Sequence, residues 1–133
     1  MVRAALSRAA NLDIPERRIR MRLPNAEHAV VDEAKVREYL LSTEHPVGRF
    51  KARFFRALGY SATEWTLLRD ALLGHARTGE AEPDPASAYG LRFRIRAILE
   101  GPAGRSGVVV SIWLGGATDG RPRFVTAFPG GRQ

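Results

Sequence analysis

The chain has 133 residues, with 21 Lys and Arg against 14 Asp and Glu, a formal charge of +7. A hydrophobic share of 44% supports one folded domain and excludes a disordered chain. The absence of cysteine excludes a disulfide scaffold, a thiolate zinc site and a cysteine nucleophile, and no apolar run approaches the roughly 20 residues that span a bilayer.

Residues 1–22 carry six basic and two acidic side chains and are interrupted by Pro15. They read as a basic arm or linker ahead of a single domain at 23–133, without the apolar core of a secretory signal. Asp32 suits an N-cap, so a helix is predicted from Glu33 to about Leu41, with Val36, Tyr39 and Leu40 turned inward. Pro46 fits a first helical position, which makes His45 the cap of a second helix. Val47, Phe50, Phe54, Phe55 and Leu58 form its apolar set, and Gly59 ends it in a left-handed conformation. Ser61 and Glu64 form a capping box for a third helix at about 62–77, which buries Trp65, Leu68, Ala71 and Leu72. Residues 79–88, rich in proline and acid, read as a loop.

From Tyr89 the period changes to two. Leu91 to Leu99 alternates apolar residues with Arg92, Arg94 and Arg96. Val108 to Leu114 is a nearly all-apolar strand, and Arg123 to Phe128 is a third, with glycine-rich turns between them. The expected class is α+β, with N-terminal helices packed on a C-terminal antiparallel meander.

Charge is segregated along this layout. Residues 46–58 hold Arg49, Lys51, Arg53 and Arg56 with no acid, and residues 89–133 have a net charge of +5. Two such segments predict one basic face for an anionic partner. Arg92, Arg94 and Arg96 share one strand face and would track a phosphate backbone; the same spacing also fits the solvent side of a half-buried strand.

Of the three histidines, His28 has no obvious helper and His75 reads as a favourable residue near a helix C-terminus. His45 stands at a helix start, with Lys51 and Arg53 within two turns. A base beside fixed cations is the minimum set for phosphoryl chemistry on RNA. The histidines are scattered and no carboxylate cluster accompanies them, so neither a metal nor another cofactor is expected. Ser106, Ser111 and Thr126 show no sequence sign of nucleophile activation. Thr126 shares a strand face with Phe124 and Phe128, where its hydroxyl would orient a phosphate.

The segments LPNAEHAVVD (23–32), HPVGRFKARFFRALGY (45–60), YGLRFRI (89–95) and RFVTAFPGG (123–131) together resemble an uncharacterised bacterial domain family. Its pattern runs LPNAE, HPxGxxKAxFFxxLG, YG, VTAYP. The layout also looks like the barnase–EndoU–colicin–RelE group of ribonuclease toxins. The resemblance implies a metal-independent endoribonuclease toxin, from a toxin–antitoxin pair or the end of a secreted effector, acting in the cytoplasm. His45 would be the acid/base, Lys51 and Arg53 would hold the phosphate, and Thr126 would face the scissile group. Arg49, Arg92, Arg94, Arg96 and Arg123 would bind the RNA backbone. The implied partners are RNA and an acidic antitoxin or immunity protein, with no membrane. This chain departs from the group in having no second well-placed histidine and no glutamate on a central strand. It also has Phe128 where relatives often have tyrosine. The incomplete set keeps a second reading open, a non-catalytic binding or immunity module.

Overall fold

The computed structural model describes residues 21–42, 44, 48–87, 90–115 and 120–131. His45 lies outside the described residues, as does the expected arm except for Met21 and Arg22. Ala26–His28 makes one 3-10 turn, and α1 (Glu33–Lys35) continues as a π-helical turn over Val36–Leu40. The Leu41 N–H donates to the Val36 carbonyl at 2.9 Å, closing that wider turn. The sequence explains the widening. At about 100° per residue an α-helix would set Leu41 about 140° from Val36. The wider turn brings Val36, Leu40 and Leu41 together, and all three are fully buried. It also carries Tyr39 off the buried stripe. The expected α-helix to Leu41 is therefore replaced by a π turn, and Asp32 makes no side-chain cap.

α2 (Gly48–Ala57) buries Ala52 and Phe55, and Leu58 just past its end, at i, i+3, i+6 spacing. The expected set included Phe50, but Phe50 lies opposite this stripe and is 66% exposed. The sequence reading passed over Ala52, whose small side chain lets the helix pack closely. Gly59 has φ +107°, and its N–H donates to the Arg56 carbonyl at 2.9 Å. The helix end is fixed to the turn after residue 100. The Ala103 N–H reaches the Leu58 carbonyl at 3.3 Å, the Arg105 guanidinium reaches the Ala57 carbonyl at 3.0 Å, and the Tyr60 hydroxyl donates to the Glu100 carbonyl at 2.7 Å.

α3 (Trp65–Thr78) begins three residues later than expected. The Ser61 hydroxyl accepts from the Glu64 N–H at 3.3 Å, which is half of the predicted capping box. Leu68, Leu72, His75 and Ala76 turn inward. His75 lies in the last turn of α3, as expected, and is buried there. Its Nδ1 lies 2.8 Å from Ser111 Oγ and its Nε2 lies 3.2 Å from the Ala97 carbonyl. Trp113 Nε1 donates to the same Ser111 oxygen at 2.9 Å. The Ala97 carbonyl can only accept, so Nε2 carries the proton in the neutral ring and Ser111 donates to Nδ1. Burial pushes the His75 imidazole below its ordinary pKa.

The sheet runs in the order β1 (Ala81–Ser87), β2 (Gly90–Glu100), β3 (Ser106–Gly115), β4 (Arg123–Pro129), antiparallel throughout. This confirms the α+β meander and adds a strand to it. The loop expected at 79–88 is largely β1, which pairs Ala81 with Ile95, Glu82 with Arg94 and Pro83 with Phe93. Proline is tolerated here because β1 is an edge. The Ala81 N–H donates outward to Met21, at 2.8 Å. Pro83 shares its parity, so its missing N–H falls on the outer side and costs the ladder nothing. Phe93, Ile95 and Leu99 of β2 face the helices, while Arg92, Arg94 and Arg96 occupy the other face. On β3, Val109 and Trp113 join the helix-side core, and Trp113 packs edge-on against Phe124 at 5.4 Å. In the β3–β4 pairing Ile112 opposes Thr126 and Trp113 opposes Phe124, so Val125 is an extra, bulged residue.

Candidate functional site

Three elements converge on Lys51. It projects from α2, and its ammonium donates to the Tyr39 hydroxyl at 2.7 Å and to Thr126 Oγ1 at 2.9 Å. The same nitrogen lies 4.8 Å from the Tyr39 ring centroid and 5.9 Å from that of Phe128. The π turn presents Tyr39, and the Val125 bulge in β4 immediately precedes Thr126. Lys35 donates to the Val125 carbonyl at 3.3 Å, which fixes the bulge to the π-helical segment. Lys35, Glu38, Tyr39, Lys51 and Thr126 line an open hollow of about 550 Å³.

The electrostatics follow from these contacts. The Lys51 ammonium bonded to its oxygen holds the Tyr39 phenol below the ordinary tyrosine value, against the opposite pull of burial. A phenol that releases its proton more readily, with a cation at bonding distance in an open hollow, can donate a proton and then be stabilised as the anion. The ammonium can also hold a phosphate oxygen.

The structure thus brings together two of the three residues expected to be catalytic, Lys51 and Thr126. His45 lies outside the described residues, three positions before α2 begins. Among the expected phosphate ligands, Arg49 and Arg53 are exposed on α2, and the Arg49 guanidinium sits 4.6 Å from the Phe50 ring centroid. Arg92 is half-buried, Arg94 pairs with Glu82 at 3.6 Å, and Arg96 donates to the Gly130 carbonyl at 3.2 Å. The three arginines share a face as expected, but Glu82 of β1 runs beside them. Arg94 and Arg96 line a second groove of about 440 Å³ with Glu80, Glu82 and Phe128. Phe128 therefore borders both this groove and the Lys51 ammonium. Arg123 stands at the opposite end of β4, exposed, in a parallel bridge with Val30.

Sequence reasoning missed Tyr39. Its spacing from Val36 and Leu40 read as core, and nothing in the linear order ties position 39 to 51 or 126. The one available signal was a hydroxyl-bearing residue inside an otherwise aliphatic stripe. Among the described residues, no group of three or more histidine, aspartate or glutamate side chains is placed to hold a metal. No helix of the described residues is long and apolar enough to cross a membrane.

Comparisons with known proteins bear on the fold and the family. The sequence pattern of a family described as a domain of unknown function (DUF6883) matches residues 22–131. No curated protein sequence matches the chain. A chain of the contact-dependent growth inhibition toxin–immunity protein complex from Klebsiella pneumoniae 342 shares the fold, with a TM-score of 0.60 and 20% identity. The match covers 81% of this chain and 98% of that one.

Proposed function

We propose that this chain, which belongs to the DUF6883 family, is a metal-independent endoribonuclease toxin domain. The observation that carries the proposal is the junction of Lys51 with Tyr39 and Thr126 in one open hollow. The fold shared with a chain of a toxin–immunity complex supports it. In the proposed reaction the RNA 2′-oxygen attacks the adjacent phosphorus. The bond from phosphorus to the 2′-oxygen forms, and the bond to the 5′-oxygen breaks. His45 takes the 2′-hydroxyl proton, and Tyr39 gives its proton to the leaving 5′-oxygen. Lys51 stabilises the charge that builds on the non-bridging oxygens and then the Tyr39 phenolate. Thr126 holds Lys51 in place. The products are a 2′,3′-cyclic phosphate and a 5′-hydroxyl, and no metal takes part.

The RNA strand enters along the Arg94–Arg96 groove and passes Phe128 to reach Lys51. Arg49, Arg53, Arg92 and Arg123 add charge around that path. In this reading the Tyr39 hydroxyl compensates for the one that Phe128 lacks. An acidic immunity protein or antitoxin covers the basic face, and the toxin acts in the cytoplasm after delivery as part of an effector. The test is incubation of purified protein with cellular RNA in EDTA, with end-group analysis of the products. Cyclic phosphate ends are expected, with cleavage reduced about 100-fold or more in Lys51→Ala and in His45→Ala. Unchanged cleavage in both variants would remove the site.

The toxin–immunity complex contains a protein of each kind, so the shared fold also admits a non-catalytic immunity module. Normal growth of bacteria expressing the chain alone, with intact RNA, would select that reading.

A further inference from the structure

Phe50 is the most exposed large apolar side chain among the described residues. It lies opposite the Ala52–Phe55–Leu58 stripe, so the packing of α2 has no use for it. Its surroundings are cationic. Arg49 stacks on the ring, and Arg53 and Arg56 complete the rim of a hollow of about 310 Å³. α2 contains no acid, and the residue after Phe50 is Lys51.

We propose that the Arg49–Phe50–Arg53 face of α2 is a stacking platform for an unpaired nucleotide of an RNA substrate. The inference rests on reading the Lys51 site as one that cleaves RNA, and it names the substrate class as single-stranded or looped RNA. A base presents a flat π face, which an exposed phenyl ring and a guanidinium plane both accept, while flanking arginines meet the phosphates. Duplex RNA keeps its bases stacked inside and offers the ring nothing. An acidic protein surface would engage the ring only if it also offered an apolar pocket beside its carboxylates.

Binding to a 2′-O-methyl RNA 12-mer, single-stranded or in a duplex, tests this by fluorescence anisotropy. The blocked 2′-oxygen prevents cleavage, so binding is read independently of catalysis. Phe50→Ala is expected to weaken single-strand binding about 10-fold to 100-fold, and to leave duplex binding within about twofold. Phe50→Leu, which keeps apolar surface without a π face, should lose as much as Phe50→Ala. Phe50→Trp should bind as the wild type does, with its indole emission quenched by the stacked base. Single-strand binding that is unchanged in Phe50→Ala, or retained in Phe50→Leu, overturns the platform even if the enzyme cleaves RNA. Conversely, an intact Phe50 effect in a protein that cleaves no RNA would sink the enzymatic reading and leave the platform standing.

Discussion

Lys51 and Tyr39 define each other's chemistry. A cation bonded to a phenol oxygen stabilises the phenolate, so Tyr39 should titrate before Tyr60, whose burial without a charged partner raises its pKa. Carbon NMR of ring-labelled tyrosine would read this order directly, and Lys51→Met should move Tyr39 back up toward 10. In the cleavage assay, Tyr39→Phe should slow the reaction about 100-fold, the usual contribution of a positioned general acid. It should also abolish the alkaline limb of the pH–rate profile, which a merely structural hydroxyl would not. Lys51 was legible as a cation within two turns of a helix start, and Thr126 as a hydroxyl between Phe124 and Phe128 on a predicted strand. Tyr39 was not. Its neighbours are periodic as an α-helix, and only burial of three aliphatic residues in six positions forces the wider turn that turns it outward.

Whether Lys51 reaches Thr126 depends on where α2 sits, and its C-terminal end fixes that. A Cβ at Gly101 would lie 2.0 Å from the Leu58 carbonyl oxygen, with no flexible neighbour to yield. Gly101→Ala is expected to destabilise the fold by about 2 kcal/mol or more in urea unfolding, since the backbone of either α2 or the turn must move. The surviving folded fraction should cleave more slowly, because a displacement of about 1 Å at the reacting groups is enough to cost about 100-fold. α2, α3 and the three later strands were readable because their apolar periods are long and their ends carry glycine or capping residues. β1 was not, because two prolines and two acids in seven residues are the composition of a loop. Its strand geometry comes from pairing with β2 and from an edge position that spares the missing donor.

Over the whole molecule, the His75–Ser111–Trp113 cluster joins α3 to the sheet and makes stability depend on pH. Burial lowers the His75 pKa in the folded protein below the 6.5 of an exposed imidazole in the unfolded chain. Below that value the unfolded chain binds more protons, so this contribution is complete above about pH 6.5 and is lost as pH falls. The urea midpoint should drop between pH 7.5 and 5.5. His75→Gln should be less stable at pH 7.5 and should flatten that drop; an equal slope in the variant would assign it to other groups.

Part of each outer edge of the sheet is already taken. On one side Met21 occupies the outer donor of Ala81, and Pro83 has none to offer. On the other, Val30 accepts from Phe124 and donates to Pro122. Main-chain pairing at those positions is therefore closed to any binding partner. A partner that meets the chain there would have to recognise side chains, so substitutions on the surface alone would change which partner fits while the ladder stays fixed.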